Sequence, residues 1–424
     1  MTYTIEKVTT LIGARRYGDR DGNVGFILTD SRSLCFPEET LFFALKSERN
    51  DGHNYIPELY RRGVRNFVVS QVPKGYASDY PEANFLKVVN TLEALQRLAE
   101  RHRDEFNIPI VGITGSNGKT MVKEWLHQLL SPSMFVTRSP RSYNSQIGVP
   151  LSVWLLNEQT QVGVFEAGIS QPGEMLALRD IIQPTIAVLT YLGAAHQENF
   201  ESLEAKCREK IILFHDADTI VYNGDDKTVS GVVNEYKDYK GEKLFWSFRD
   251  TKAPFFVKNV EKKGNLSIIT YIYKGEEDSY SLPFIDEASV TNSIIAAVVS
   301  RRLGLSAEEL DKRMALLEPV AMRLEVKEGQ HGCTLINDSY NSDINSLDIA
   351  LDFMSRRPDH KGRRHTLILS DIFQSGESAK DLYHEVSDLC RKRGVVKFIG
   401  IGPQLCSQSD EIQISEKFFF SNVE

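Results

Sequence analysis

No stretch of this chain approaches the roughly 18 consecutive apolar residues that cross a bilayer. The opening Met1-Thr2-Tyr3-Thr4-Ile5-Glu6-Lys7 has no basic segment leading into an apolar run. Neither membrane insertion nor an export signal is therefore expected. Cysteine is scarce and scattered: five residues, at 35, 207, 333, 390 and 406, with no CxxC pair. That distribution excludes a disulfide framework and a cysteine zinc site, and predicts a reducing, cytoplasmic setting. Excess positive charge is missing too. A net charge of -8 argues against a general nucleic-acid binder. An anionic substrate would have to be met by local charge from basic side chains, helix N-termini or metal ions. Internal repeats and low-complexity segments are absent as well.

What is present is an ordinary globular composition, 41% hydrophobic and 25% charged over 424 residues, long enough for two to four domains. Residues 1–105 read as mixed strands and helices, the last a helix opening at Asn90-Thr91-Leu92-Glu93, a capping residue with Glu three positions on. Asn107-Ile108-Pro109 breaks it. Residues 106–305 begin with a buried-strand run, Ile110-Val111-Gly112-Ile113-Thr114. A glycine-rich turn follows, then a helix with Val122, Trp125, Leu126, Leu129 and Leu130 on one face. Further short apolar runs at Val162–Phe165, Ile186–Thr190 and Ile220–Tyr222 alternate with helical lengths, which predicts a parallel sheet. Residues 254–284 alternate around Lys263-Gly264-Asn265 and predict an antiparallel hairpin insert. A helix over Val290–Ser300 closes this part. Residues 306–424 resume the βα rhythm: strand Cys333–Asn337, helix Ile344–Met354, strand Leu367–Ser370, helix Ala379–Arg391, strand Val396–Gly400. The apolar ending Phe418-Phe419-Phe420 predicts a last unit that lacks its final element.

Gly112-Ile113-Thr114-Gly115-Ser116-Asn117-Gly118-Lys119-Thr120 lies between strand and helix, where a phosphate cradle belongs. Glycines let backbone N–H groups turn toward phosphate oxygens, and the helix N-terminus adds partial positive charge. Lys119 can reach the outer phosphates and the Thr120 hydroxyl can ligate magnesium. Against the general phosphate-loop pattern the first glycine stands one residue early, with Ile113 in its usual place. The bland alternative is a glycine-rich turn with an incidental Gly-Lys-Thr.

The shifted Thr-Gly-Ser-Asn-Gly-Lys-Thr spacing resembles the loop of the Mur ligase family, shared with folylpolyglutamate synthases. These enzymes join a carboxylate to an amine at the expense of ATP. The resemblance implies a three-domain α/β fold: an N-terminal α/β UDP-binding domain, a central parallel-sheet ATPase domain and a C-terminal Rossmann-like domain. It implies Gly115, Ser116, Asn117, Gly118, Lys119, Thr120, Asn292 and Arg323 as nucleotide contacts. The Asn223-Gly224-Asp225-Asp226 turn matches a family Asn-x-Asp turn and reads equally as an ordinary loop. Two magnesium ions are implied, with Thr120, Glu166, His196 and a carbamylated Lys210 as ligands. Lys206 is the alternative carbamylated lysine, since the two share a helix face at i, i+4; the bland reading is two solvated lysines. Lys119, His196 and Lys210 would be the catalytic set. Cys207 is expected to be inert.

Other segments bear on the substrate. Thr29-Asp30-Ser31-Arg32, Leu41-Phe42-Phe43-Ala44-Leu45 and Asp51-Gly52-His53 resemble the UDP-binding domain of the ligases that add the third residue or the terminal dipeptide, which implies Ser31 and Arg32 at the nucleotide substrate. Asn337-Asp338-Ser339-Tyr340-Asn341-Ser342-Asp343 resembles the Asp-x-Tyr-Asn-Ala-Asn-Pro stretch of the dipeptide-adding branch, with Asp343 and Ile344 departing from it. Arg141-Ser142-Tyr143-Asn144-Ser145 resembles its Asn-rich loop. Asn144, Asp338, Tyr340 and Asn341 are the implied substrate contacts. The partners implied are UDP-N-acetylmuramoyl-tripeptide and D-alanyl-D-alanine, joined through an acyl phosphate, and some family members continue into an alanine racemase half, here beyond residue 424. The alternatives are a branch that adds diaminopimelate or lysine as third residue, and a non-catalytic nucleotide-binding module.

Overall fold

Short runs of consecutive apolar residues make strands buried on both faces, and single apolar stripes make helices that cover them. The computed structural model describes every residue except 48–49, 194–196, 238, 321–324, 340–342, 357–361, 363, 373–377 and 423–424. The chain divides into two compact units, one of Met1–Ile110, Phe135–Ala167 and Leu176–Pro184, the other of Val111–Met134, Gly168–Met175 and Thr185–Glu424. The class is α/β, as expected.

In the first unit a five-stranded sheet runs in the order Arg15–Tyr17, Asn84–Lys87, Asn66–Val69, Thr40–Phe43, Phe26–Leu28, parallel apart from the Arg15–Tyr17 edge. Strand side chains alternate between faces. Phe42, Phe67 and Phe85 therefore pack with Ile56 and Leu59 on one face. Phe43, Val68 and Leu86 pack on the other with Val8, Leu95 and Leu98 from the helices Ile5–Ile12 and Thr91–Arg103. Asn90 caps the second of these, its Oδ1 accepting from Leu92 N and Glu93 N. The same unit holds the parallel pair Val136–Arg138 and Val162–Glu166.

In the second unit Glu242–Lys243, Thr219–Val221, Ile186–Leu189 and Ile110–Thr114 lie side by side, all parallel. Thr114 and Leu189, paired at the strand ends, fix the point from which the glycine-rich turn departs. The helix Lys119–Leu130 that follows buries Val122, Trp125, Leu126, Leu129 and Leu130. Trp125 stacks on Phe284 and its indole N–H donates to the Glu318 carbonyl at 3.1 Å. The expected hairpin is a strand trio, Phe255–Lys263, Leu266–Tyr273 and Glu276–Leu282, turning at Gly264 with φ 61°. Farther along, His365–Ser370, Val395–Ile401 and Glu416–Phe420 form a parallel three-stranded sheet. Its core includes Leu351, Leu382, Val386 and Phe398.

Leu126→Ala is expected to cost about 3 kcal/mol, because it opens a cavity behind the glycine-rich turn. Urea unfolding followed by circular dichroism should show the transition of the second unit at lower denaturant; an unmoved transition would mean that this helix does not anchor the turn.

Candidate active site

The turn is held so tightly that only glycine fits at two of its positions. Gly115 has φ 145°, and a Cβ there would lie 2.0 Å from Thr190 Oγ1. Gly118 has φ 87°, and its Cβ would lie 2.4 Å from Asn292 Oδ1. Both backbones are in the region L side chains avoid. Ser116 N donates to Tyr191 O at 2.6 Å, Gly193 N donates to Ser116 Oγ at 2.9 Å, and Thr190 Oγ1 donates to Asn117 O at 2.6 Å. The turn is thus stapled to the chain leaving the neighbouring strand. Helices elsewhere are capped by side chains such as Ser202, Asp226 and Ser306, but Lys119–Leu130 opens on Gly118 with no side-chain cap. Its first N–H groups and its dipole are therefore suited to an anion. Lys119 Nζ lies over the turn, donating to Gly115 O at 2.8 Å and Ser116 O at 3.1 Å.

The helix Leu203–Ile211 turns both its lysines inward, which removes the solvated reading. Lys206 Nζ donates to Gly193 O at 2.5 Å, and burial lowers its pKa to about 8. Lys210 is wholly enclosed, with Nζ 3.3 Å from Gly115 O. Burial first, then the positive charges of Lys119 and Lys206, push the Lys210 ammonium well below its ordinary range. A lysine held as a neutral amine is the form that reacts with carbon dioxide. Between the two lysines, Cys207 is buried and its thiol is pushed up to about 12, so it is inert as a nucleophile.

A cavity of about 270 Å³ opens from the turn, lined by Asn117, Gly118, Tyr191, Asn292, Asp286 and Arg393 among others. Beside it a pocket of about 60 Å³ is lined by Gly118, Thr120, Asn292, Asp338 and Ser346. The structure therefore brings the turn, Asn292, Asp338 and the two lysines to one place. Thr120 and Asp338 offer hard oxygen donors, which fit magnesium. Among the described residues no three His, Cys, Asp or Glu side chains gather into a ready-made cage. Phosphate and water would complete such a site, the usual way magnesium is held.

In the first unit, Glu166 is fully buried at a strand end, with its N–H on Ser139 Oγ at 3.2 Å and Asn144 Nδ2 at 3.5 Å from Oε2. Ser31 and Arg32 form part of a short exposed turn, where Arg32 pairs with Asp30 at 2.7 Å and Ser31 O accepts from Arg62. Asp51-Gly52-His53 serves the fold: His53 Nε2 accepts from Ser70 N at 3.0 Å and Nδ1 faces Asp51 Oδ1 at 2.6 Å. A Cβ on Gly52 would meet the Ala44 backbone at 2.8 Å. In the second unit Asp225 accepts from Ser247 Oγ and Phe248 N, and Asp226 caps the helix Lys227–Glu235, so that segment is a structural turn. Asp343 holds the start of Ile344–Arg356 by accepting from Ser346 N and Oγ. His196, Arg323, Tyr340 and Asn341 lie outside the described residues. Sequence reasoning missed Tyr191, Asp286 and Arg393. Only Asp286 left a trace, as a capping aspartate three residues before Ser289.

Residues 113–300 match the family model of the Mur ligase middle domain. The UDP-N-acetylmuramoyl-tripeptide--D-alanyl-D-alanine ligase of Bacillus subtilis is 28% identical over 85% of this chain and 76% of its own length. MurF from Acinetobacter baumannii matches in structure with a TM-score of 0.84 at 22% identity, over 99% of this chain and 90% of that one. The MurF ligase of Thermotoga maritima in complex with ADP matches with a TM-score of 0.77 at 22% identity, over 93% and 88%. The solved structures carry the fold. None of these three relatives is named as a racemase.

Two outcomes are expected. Gly118→Ala should weaken ATP binding at least roughly tenfold by calorimetry, since strain and the Asn292 contact both oppose it; unchanged affinity would remove the turn from the site. Lys210 sets a pH trend. Between its depressed value and 10.5 the unfolded chain binds a proton that the folded chain does not, so stability rises with pH there. Lys210→Met should flatten that rise in denaturation midpoints measured from pH 7 to 10, and an identical slope in both proteins would refute the buried neutral amine.

Proposed function

We propose that this chain, a member of the Mur ligase family, uses ATP to join D-alanyl-D-alanine to UDP-N-acetylmuramoyl-tripeptide in peptidoglycan precursor synthesis. The observation that carries the chemistry is the Gly115–Thr120 turn, locked by Thr190 and Asn292 onto an uncapped helix N-terminus. A carboxylate does not acylate an amine by itself. Transfer of the ATP γ-phosphoryl to the tripeptide carboxylate gives an acyl phosphate and ADP. The dipeptide amine then attacks the acyl carbon, and phosphate leaves with the bonding electrons. The protein's part is positioning and charge neutralisation. Backbone N–H groups and Lys119 hold the phosphates, and Asn292 and the adjoining cavity hold the nucleoside.

Magnesium, held by Thr120, Glu166, His196 and Lys210, would neutralise phosphate charge. For Lys210 we favour the carbamate: neutral Nζ attacks carbon dioxide, forming an N–C bond and releasing a proton. Its enclosure beside Gly115 O supports Lys210, whereas the Lys206 amine is committed to Gly193 O. We assign residues 1–105, with Ser31 and Arg32, to the UDP end, 106–305 to ATP, and 306–424, with Asp338, Tyr340 and Asn341, to the incoming amine, while Arg323 of the linker joins the nucleotide contacts. Asn144 would face the tripeptide. Five unpaired thiols and dependence on ATP fit the cytoplasm.

A coupled phosphate-release assay should show turnover only when ATP, UDP-N-acetylmuramoyl-tripeptide and D-alanyl-D-alanine are all present. Equal turnover of the dipeptide-bearing precursor with diaminopimelate or lysine would transfer the chain to the third-residue branch; nucleotide binding without turnover would make it a binding module. Lys210→Ala should lose roughly 10³-fold in kcat and recover part of it with added acetate or formate. Full activity in that variant would end the carbamate proposal.

A further inference from the structure

Both main-chain groups of one residue, Glu318, are taken by side chains of the helix Lys119–Leu130. Trp125 Nε1 donates to the Glu318 carbonyl at 3.1 Å, and the Glu318 N–H donates to Gln128 Oε1 at 2.9 Å. Positions 125 and 128 share a helix face, so the two side chains reach one residue together. A second tie lies farther along the same helix. Arg313 donates through Nη1 to Leu129 O at 2.6 Å, a carbonyl that the last helical turn leaves without an internal partner, and through Nη2 to Ser133 Oγ. The segment that makes these bonds is packed as well: Leu310, Met314 and Leu317 are buried. Its place in the chain matters. The helix Glu287–Arg302, which carries Asn292, precedes the helix Ala307–Met314, and the strand Thr334–Asn337, which ends beside Asp338, follows it. Asn292 and Asp338 meet Gly118 and Thr120 in the pocket of about 60 Å³. The walls of that pocket come from three stretches of chain, and residues 313–318 lie between two of them while bonded to the helix of the third.

We propose that Trp125 and Gln128 are positioning residues for the ligation step: by holding Glu318 they set the chain that carries Asp338 against the helix that carries Thr120. This rests on the reading in which Thr120 serves magnesium and the phosphates and Asp338 serves the incoming amine. The turn itself does not need the tie, since Thr190 and Asn292 fix it locally. Nucleotide affinity and ligation therefore separate. The first depends on the turn alone. The second needs both reactants in register, and a displacement of about 1 Å at a reacting group can cost on the order of 10²-fold in rate. Loss of either bond leaves a main-chain group of Glu318 without its partner, and the backbone there must move to find another.

The test uses the full chain with ATP, UDP-N-acetylmuramoyl-tripeptide and D-alanyl-D-alanine. Trp125→Phe keeps an aromatic ring against Phe284 and removes the N–H donor. Gln128→Met keeps the length of a half-buried side chain and removes the acceptor, while Gln128→Glu keeps an acceptor oxygen. Trp125→Phe and Gln128→Met should each lower kcat/KM for the dipeptide at least roughly tenfold. The Kd for ATP, measured by calorimetry, should move by less than about twofold in both. Gln128→Glu should stay within about twofold of the wild type in either quantity. Assays run well below each variant's Tm, so that lost stability alone leaves kcat/KM unchanged. Wild-type kcat/KM in Trp125→Phe and Gln128→Met overturns the proposal. So does an ATP affinity that falls as far as kcat/KM, which would make the tie a general support of the turn, and so does a Gln128→Glu variant as impaired as Gln128→Met. Should Trp125→Phe fail to fold, the two Gln128 variants decide. A wild type that binds ATP and ligates nothing overturns the reading of the function instead, and the positioning role falls with it.

Discussion

The side chain of Thr190 occupies the space that a β-carbon on Gly115 would need, and much of the site follows from that exclusion. The strand Ile110–Thr114 can lie against Ile186–Leu189 to its last residue only if the chain leaving it has no side chain at 115. Asn292 imposes the same demand at 118 from a different helix. Two long-range neighbours thus dictate two glycines. Glycine reaches the φ values at both positions without steric cost, and main-chain and hydroxyl bonds from Ser116 and Thr190 hold the turn there.

Electrostatics sets the second constraint. Lys119, Lys206 and Lys210 converge on carbonyls of one short stretch, Gly115, Ser116 and Gly193. Burial first, and the neighbouring positive charges after it, disfavour the ammonium forms: Lys210 loses its proton most readily and Lys206 is lowered to about 8. A polyanion arriving at the turn would reverse that balance, drawing Lys119 to its phosphates and relieving the crowding. A carbamate on Lys210 relieves it in the other way, by replacing a cation with an anion.

How far the sequence announced all this depends on the range of the interaction. The turn was readable because its glycines, lysine and threonine are contiguous and sit between a β-branched run and an amphipathic helix. Element limits came out within a few residues for the same local reason: Asn90 is a capping residue in sequence and in structure. The burial of Lys206 and Lys210 could be suspected only from the family resemblance, since their helix has little apolar character of its own. That Asp286 and Arg393 line one cavity was not legible, because they are far apart in the chain. Asp51-Gly52-His53 shows the converse. A segment that resembles part of a substrate domain proves to hold Ser70 and the strand end at Ala44 in place, because a histidine with both nitrogens engaged by the fold has none left for a ligand. The two compact units cross the order of the chain, since residues 135–167 pack with the N-terminal unit, and such interleaving leaves no mark in composition.

Trp125 stands on the helix that begins at Lys119 and Thr120, and its indole holds the Glu318 carbonyl. The helix is a stiff rod of three turns, clamped at one end to the glycine-rich turn and roped near its middle to the main chain that leads out of the helix Ala307–Met314. Any axial shift of the rod tugs on that rope. The buried indole stacked on Phe284 is also a chromophore whose emission depends on its packing and its N–H bond. The fold thereby contains its own strain gauge, wired between the glycine-rich turn and the chain that leaves the helix Ala307–Met314.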